Sequence, residues 1–171
     1  MTIRFLDSGD LTAYRDLRLA ALQESPTAFG SSYAEEVALP LTEFAARLRP
    51  PHRPHNGIIG ALVDDGRLAG VLGFAREYRV KRPHVALIWG MYVSPEFRGQ
   101  GFGAALVDEA IAHARRLGIV RQIVLAVTAS NVTAVSLYHS RGFERFGLER
   151  DALCVDGTYY DEEHMVLFLK R

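Results

Sequence analysis

Hydrophobic and polar positions recur with different periods along the chain, and those periods predict its strands and helices. Residues 85–93 are almost continuously apolar, with β-branched and aromatic side chains, which predicts a buried strand that ends before Pro95. Residues 101–117 instead carry apolar side chains three and four positions apart, which predicts an amphipathic helix that begins near Gly101 and ends at Gly118. The middle of the chain is therefore predicted to be a strand, a short connection and a helix.

The same reading predicts the other elements. We expect strands at 3–6, 58–63, 68–74, 120–127, 143–154 and 159–169, and helices at 11–24, 41–48 and 131–140. One face of the first helix is formed by Leu11, Tyr14, Leu17, Arg18, Ala21 and Leu22. Hairpin turns are expected at 64–67 and 156–157. Strands and helices alternate in the middle and hairpins occupy the flanks, so the fold class is α/β (α+β) with a mixed sheet.

Composition narrows the class of protein. With 171 residues and 49% hydrophobic content, residues 1–171 are expected to form one domain. Lysine plus arginine and aspartate plus glutamate are equal at 20 each, so neither a nucleic-acid nor a membrane-surface partner is indicated. Cys154 is the single cysteine, and no apolar run approaches the ~20 residues of a membrane helix. Without an N-terminal signal pattern, a cytoplasmic location is expected.

Two segments are predicted to be loops. The residues from Phe29 to Glu36 connect two helices and mix aromatic, small and acidic side chains. Residues 50–57 are rich in proline and break every regular pattern. His52 and His55 lie in this second loop, but no third ligand is nearby, so no metal site is predicted.

The connection between the central strand and its helix has the features of an anion-binding site. Gly99, Gly101 and Gly103 occupy alternate positions, where main-chain N–H groups can approach a ligand without interference from a Cβ atom. The first N–H groups of a helix have no partner within it, and the helix dipole favours negative charge there. We therefore expect a phosphate-bearing ligand at the start of this helix, although the same glycines would also suit a tight strand-to-helix turn.

Two nucleotide-binding motifs are disfavoured. Residues 99–104 fit the G-x-G-x-x-G/A dinucleotide fingerprint when Ala104 is counted as its last position. That fingerprint follows its strand directly and needs an acidic residue about 20 positions later. Here five residues intervene after Val93, and residues 110–143 contain no carboxylate. A phosphate-binding NTPase loop is excluded because no Gly-Lys-Ser/Thr follows the glycines.

The sequence Arg98-Gly99-Gln100-Gly101-Phe102-Gly103 resembles the Q/R-x-x-G-x-G/A motif of the GNAT superfamily of acetyl-CoA-dependent N-acetyltransferases. A second signature of that family is similar to residues 123–127 and 131–138 with Gly142-Phe143 behind them. The resemblance implies a GNAT-like mixed, mostly antiparallel central sheet flanked by helices. It also implies acetyl-CoA as cofactor and direct acetyl transfer, without a covalent enzyme intermediate, to a primary amine. The amine, small molecule or peptide, is not identified.

Roles for individual residues follow on the cofactor side. Main-chain N–H groups of Gly99, Gln100, Gly101, Phe102, Gly103 and Ala104 are expected to bind the coenzyme A pyrophosphate, with added charge from Arg98. By resemblance, Met91, Tyr92 and Val93 pair with the pantetheine arm and supply an oxyanion N–H, and Asn131 contacts the cofactor. Tyr138 is expected beside the sulfur as the general acid, on the same helix face as Asn131. A phenol of pKa ~10 protonates a thiolate near 8.5 at a cost of roughly 2 kcal/mol, so a hydrogen bond to sulfur matters as well.

On the acceptor side the prediction is less specific. The expected substrate-binding residues are Phe29, Ser31, Glu35, Trp89 and Glu162. Many members of the resembled family carry a glutamate in the central strand as general base, but residues 84–93 contain no carboxylate and place Trp89 there. The candidates for a base are Glu35, Glu36, Asp161, Glu162, Glu163 and His84. An α-amine of pKa ~7.7 to 8.0 would need little help from one.

A non-catalytic acyl-CoA-binding module is the alternative function. The missing strand carboxylate favours it, whereas the presence of Tyr138 opposes it. Cys154 has no catalytic signature around it and is predicted to be a bystander. A homodimer is a further possibility that the sequence leaves open.

Overall fold

A computed structural model describes residues 1–48, 50 and 52–169 of the chain. The strands are β1 (Thr2–Phe5), β2 (Gly57–Leu62), β3 (Leu68–Arg76), β4 (Val85–Val93), β5 (Gln122–Thr128), β6 (Glu144–Val155) and β7 (Thr158–Phe168). The helices are α1 (Leu11–Glu24), α2 (Tyr33–Val37), α3 (Leu41–Leu48), α4 (Phe102–Arg116) and α5 (Val132–Ser140). None of the helices in these ranges is long and apolar enough to cross a membrane.

All seven strands form one sheet in the order β1-β2-β3-β4-β5-β7-β6. Every neighbouring pair is antiparallel except β4 and β5, which run parallel. A parallel pair needs a crossover connection, and here α4 provides it. The prediction of a mixed, mostly antiparallel sheet flanked by helices is confirmed.

The sheet separates two hydrophobic cores. On one face, α4 and α5 pack through Leu106, Val107, Ala110 and Tyr138. On the other face, α1 and α3 pack through a second set of side chains, which includes Tyr14, Leu19, Leu22, Phe44, Ile58, Val71 and Tyr92. The period-2 alternation along β4 divides its side chains between these cores, with Ile88 on the first and Trp89 on the second. The two faces of β4 therefore see different chemical surroundings.

The strands β4 and β5 are paired at one end and separate toward the other. This separation leaves a gap between them at the centre of the sheet. Their pairing covers only Val85–Leu87 with Gln122–Val124, although β4 continues to Val93 and β5 to Thr128. Beyond the pairing lies a β-bulge in β4, where Gly90 has φ +59° and where Gly90 and Met91 oppose one residue of β3. The bulged half of β4 thus presents an edge that β5 does not cover.

Most element boundaries agree with the sequence-based predictions, and two differences concern the expected site. The segment from Phe29 to Glu36 was expected to be a loop, yet it contains α2, because the Ser32 and Glu35 side chains form a capping box. Asn131 was expected within a helix, yet it lies just before α5 as the N-cap, with φ −82° and ψ 69°. Of the predicted loop at 50–57, Pro51 lies outside the described residues.

Candidate active site

A cavity of about 490 Å³ lies where β4 separates from β5, between the N-terminus of α4 and the start of α5. Its lining comprises Ser25, Ala28, Phe29, Met91, Tyr92, Val93, Phe97, Arg98, Gly99, Gly101, Phe102, Gly103, Ala104, Asn131, Thr133, Ala134 and Leu137. Most residues predicted to contact a cofactor are thus brought together around one space. Gln100 is outside the lining, and its side-chain amide donates to the carbonyl of Glu96 at 3.0 Å.

The N-terminus of α4 opens onto this cavity. Within the described residues, the N–H groups of Phe102, Gly103 and Ala104 donate to no main-chain or side-chain acceptor. Gly99 and Gly101 have φ values of +73° and +86°, and nothing lies within 4 Å of where their Cβ atoms would be. Such a turn of free N–H groups at a helix start is suited to a phosphate.

Gly103 serves a different purpose from the other two glycines. An added Cβ at this position would lie 3.2 Å from Cδ2 of Leu137, so the absence of a side chain lets α4 and α5 pack closely. Close packing brings Asn131 and Ala134, at the start of α5, to the rim of the cavity. The third glycine therefore shapes the cavity in addition to offering its own free N–H group.

Arg98 carries a charge that is already paired. Its two terminal nitrogens donate to the carboxylate of Glu24 at 3.0 and 2.8 Å, and its Nε donates to the carbonyl of Val93 at 3.0 Å. Hydrogen bonds from Arg98 and Ser25 hold the pKa of Glu24 at about 2. The guanidinium therefore links the end of α1 to the end of β4, and its positive charge is largely balanced.

Along the open edge of β4, the three predicted residues divide between the two cores. Met91 and Val93 pack on the side of α4 and α5, whereas Tyr92 packs with Phe29 on the side of α1. All three line the cavity, and β5 pairs with none of them. Main-chain groups of this edge are thus positioned to pair with an extended ligand.

Tyr138 lies one side chain behind the cavity. Its ring packs against Phe143 in the core, and its hydroxyl donates to Sδ of Met91 at 3.7 Å. Burial raises the pKa of Tyr138 above its ordinary value. Met91 lines the cavity and Tyr138 does not, so the sulfur of Met91 occupies the place next to the hydroxyl.

Asn131 and Tyr138 do not share a helix face, contrary to the sequence-based expectation. Because Asn131 precedes α5, its side chain is free of the helical register and accepts a hydrogen bond from the N–H of Ala134 at 3.2 Å. Asn131 lines the cavity and Tyr138 turns into the core. Both residues still approach the same cavity, one at its rim and one behind Met91.

The residues expected on the acceptor side are spread over the α1 face of the sheet. Phe29 lines the cavity, and Trp89 covers Gly73, where an added Cβ would lie 2.3 Å from the indole ring. Ser31 lies 3.5 Å from Nη2 of Arg18. Glu35 is exposed and caps α2 through Ser32, whose hydrogen bonds lower the pKa of Glu35. Glu35 therefore has a local structural task away from the cavity.

Glu162 lies on β7 opposite Thr128, at the end of β5 where the sheet is open. The Thr128 hydroxyl donates to the carbonyl of Thr27 at 2.6 Å, which ties this end of β5 to the segment that carries Phe29. Burial raises the pKa of Glu162, while His164 lowers it and Glu149 raises it further. A carboxyl group with a raised pKa is a suitable proton acceptor near neutral pH.

Two residues of α1 were not singled out by the sequence patterns. Glu24 pairs with Arg98, and Arg18 lies buried beside Phe29 with its guanidinium 4.7 Å over the ring. A charged residue on an otherwise apolar helix face is the signal that marks Arg18 in the sequence. Glu24 has no comparable signal, because its partner is 74 positions away.

The potential metal ligands of the described residues are scattered. Over residues 1–48, 50 and 52–169, no three histidine, cysteine, aspartate or glutamate side chains cluster as metal ligands would. Cys154 is exposed on β6, away from the cavity.

Comparison with known proteins agrees with this geometry. The acetyltransferase (GNAT) family matches residues 19–143. The N-alpha-acetyltransferase RimI of Mycobacterium tuberculosis is 36% identical over 105 residues, which cover 61% of this chain and 63% of that protein. A mycothiol acetyltransferase of Geodermatophilus obscurus is 40% identical over 65 residues, 38% of this chain and 21% of that protein. The chain thus spans less than two thirds of either relative.

The fold is also shared with solved structures. The structure of yncA from Salmonella typhimurium with its cofactor acetyl-CoA superposes with a TM-score of 0.79 at 22% identity. The match covers 100% of this chain and 95% of that one. At this level of identity the likeness concerns the fold, including the seven-stranded sheet and its flanking helices.

Proposed function

The chain belongs to the acetyltransferase (GNAT) family, and on that premise we propose that it transfers the acetyl group of acetyl-CoA directly to a primary amine. The observation that carries this proposal is the cavity at the separation of β4 and β5. Free N–H groups at the start of α4 and an uncovered edge of β4 meet there, and the Tyr138 hydroxyl lies one side chain behind, in contact with Met91. An elongated ligand with phosphates at one end and a thioester further along would satisfy both sets of groups.

The chain's own residues would hold such a ligand in two places. The N–H groups of residues 102–104 lie at the positive end of the α4 dipole and suit a pyrophosphate. The main chain of residues 91–93 would pair with the amide groups of the pantetheine arm. The arm would thus take the place beside β4 that β5 leaves open. A main-chain N–H of the bulge would then stabilise negative charge on the thioester oxygen.

Proton transfers complete the reaction. The amine must be neutral to attack, and its nitrogen gains a bond to the acetyl carbon while the carbon–sulfur bond breaks. Glu162, whose pKa burial raises, would accept the amine proton directly or through water. The Tyr138 hydroxyl would donate a hydrogen bond to the departing sulfur in place of its present contact with Met91. Because burial raises the pKa of Tyr138, hydrogen bonding is expected to outweigh full proton transfer.

A non-catalytic acyl-CoA-binding module is the second candidate. The absence of a carboxylate within β4, all of whose residues are described, favours it. The two functions make opposite predictions about turnover but the same prediction about binding.

The deciding experiment measures thiol release from acetyl-CoA with a panel of primary amines, alongside the thermal stability of the protein with and without coenzyme A. An acetyltransferase gives amine-dependent thiol release together with stabilisation by the cofactor. A binding module gives the stabilisation with no amine-dependent release. A protein that shows neither thiol release nor stabilisation by coenzyme A would contradict both functions.

A further inference from the structure

A buried charge cluster of Arg18, Glu36 and Arg47 lies on the α1 face of the sheet. Arg18 is 5% exposed, and its Nε and Nη2 donate to both carboxylate oxygens of Glu36 at 2.7 to 3.2 Å. Arg47 donates to the same carboxylate from Nη1 at 2.7 Å. Burial would raise the pKa of Glu36, but hydrogen bonds from the two arginines outweigh it and hold the pKa at about 2. Two cations thus share one anion, so the cluster as a whole carries one net positive charge.

The unpaired donor of this cluster is Nη1 of Arg18. This nitrogen is fully buried and has no hydrogen-bond partner among residues 1–48, 50 and 52–169. A buried donor without a partner is unfavourable, and buried charges in folded proteins are normally paired. Nη1 therefore has an unused capacity to bind an anionic oxygen.

The position of this nitrogen relates it to the proposed reaction. Apart from Gly90 and its two chain neighbours, Nη1 is the one described atom within 4 Å of where a Cβ of Gly90 would be, at 3.8 Å. Gly90 forms the bulge of β4 and precedes Met91, which lines the cavity. The guanidinium also lies over the ring of Phe29, another lining residue. Nη1 is thus directed to the acceptor side of the strand that would hold the thioester.

We infer that the acceptor carries a carboxylate close to its amino group, as a free amino acid does, and that Nη1 of Arg18 binds this carboxylate. A guanidinium matches the geometry of a carboxylate, and the Ser31 hydroxyl 3.5 Å from Nη2 offers a second donor beside it. Glu162 supplies a negative group for the amino end, from the end of β5 that Thr128 ties to the Phe29 segment. This inference rests on the proposed acetyl transfer and specifies its substrate class.

The test compares acceptors that have or lack the carboxylate, and each rate is expressed per neutral amine because the carboxylate also raises the pKa of the neighbouring amine. Thiol release from acetyl-CoA is measured for the free L-amino acids and, at the same concentrations, for their primary amides. A hydrogen-bonded ion pair of this kind is expected to favour the best free amino acid over its own amide by about 10- to 100-fold in kcat/KM. An amide or peptide used as well as the free acid would overturn the inference and leave acetyl transfer standing.

Two conservative variants separate binding from a structural role. Arg18→Lys keeps a charge next to Glu36 but replaces the planar fork by one compact ammonium, which cannot hold Glu36 through two nitrogens and direct a third nitrogen to a second carboxylate. We expect its acid-to-amide ratio to fall toward one, mainly through a higher KM for the free acid. Arg47→Lys disturbs the same Glu36 carboxylate from the far side and should keep the wild-type ratio. Equal loss on acid and amide in Arg18→Lys would mean that Arg18 only supports the fold.

The inference stays testable if acetyl transfer fails or a variant does not fold. The acid-to-amide ratio of the wild-type protein requires no variant. If no amine releases thiol, the proposed function is wrong, and the melting temperature with coenzyme A and either the free acid or the amide is measured instead. Stabilisation by the acid alone supports a carboxylate site. Equal effects of acid and amide, or none, overturn it.

Discussion

Replacement of Tyr138 by phenylalanine tests the assignment of the hydroxyl to the departing sulfur. The substitution removes one oxygen atom and keeps the ring that packs against Phe143. In the structure, that oxygen's partner is Sδ of Met91 at 3.7 Å, a weak acceptor. We therefore expect the free energy of unfolding to change by less than about 1 kcal/mol.

The expected loss of activity is much larger than the loss of stability. A hydrogen bond to a charged acceptor is worth roughly 1.5 to 3 kcal/mol, which corresponds to about 10- to 100-fold in rate. Full general acid catalysis would give about 100- to 10,000-fold. Because burial raises the pKa of Tyr138, a proton transfer from it to the thiolate is less favourable than from an ordinary phenol. The lower range is therefore expected for kcat.

The assay is thiol release at saturating acetyl-CoA, measured from pH 6 to about pH 9 in the wild-type protein and Tyr138→Phe. Tyr14→Phe is the matched control, because Tyr14 also buries its hydroxyl, which has no partner in the described part of the chain. The control should keep the wild-type kcat. A Tyr138→Phe protein with unchanged kcat throughout this pH range would refute the role of the hydroxyl.

Three further predictions address the cofactor site, the buried charges and the base. Gly101→Val places a side chain in the open space before α4, where the phosphates are expected, and should weaken coenzyme A binding at least about 10-fold by calorimetry. Gly118→Val is the control, because Gly118 has a similar positive φ at the other end of α4, and it should leave the affinity unchanged. Glu36 stabilises the wild type by roughly 3 kcal/mol above pH 4.5, and this stabilisation is lost as the pH falls to about 2. Glu36→Gln should lack this pH-dependent part of the free energy of unfolding, measured by urea unfolding. Equal pH dependence of that free energy in the two proteins would contradict the prediction. Glu162→Gln should lower kcat/KM. Once each rate is expressed per neutral amine, the variant should also lose the remaining fall of kcat/KM at acidic pH, and a retained fall would assign the base elsewhere.

Local sequence signals were sufficient for the central strand and helix. The apolar run of β4 and the 3.6-residue period of α4 depend on neighbours close in sequence, and both elements begin or end within a residue or two of the predicted positions. The glycines between them have the expected positive φ at Gly99 and Gly101. The short helix α2 was missed although its Ser-x-x-Glu capping box is visible in the sequence, because so short a helix has no apolar period.

Features that depend on contacts between residues far apart in the chain could not be predicted from local sequence patterns. The separation of β4 from β5 follows from how the whole sheet pairs, and the bond between Arg98 and Glu24 joins residues far apart in the chain. The burial of Arg18 depends on α2, which delivers Glu36 to it. The roles of the lining residues in binding and catalysis remain predictions, with the experiments above as their tests.

The most direct test of the whole account is a calorimetric titration of the protein with coenzyme A and, in parallel, with pantetheine, which lacks the pyrophosphate. The free N–H groups at the start of α4 predict binding of one coenzyme A per chain, at least about 10-fold tighter than pantetheine. Equal affinity for the two ligands, or no binding of coenzyme A, would contradict the central claim that this helix start holds the phosphates.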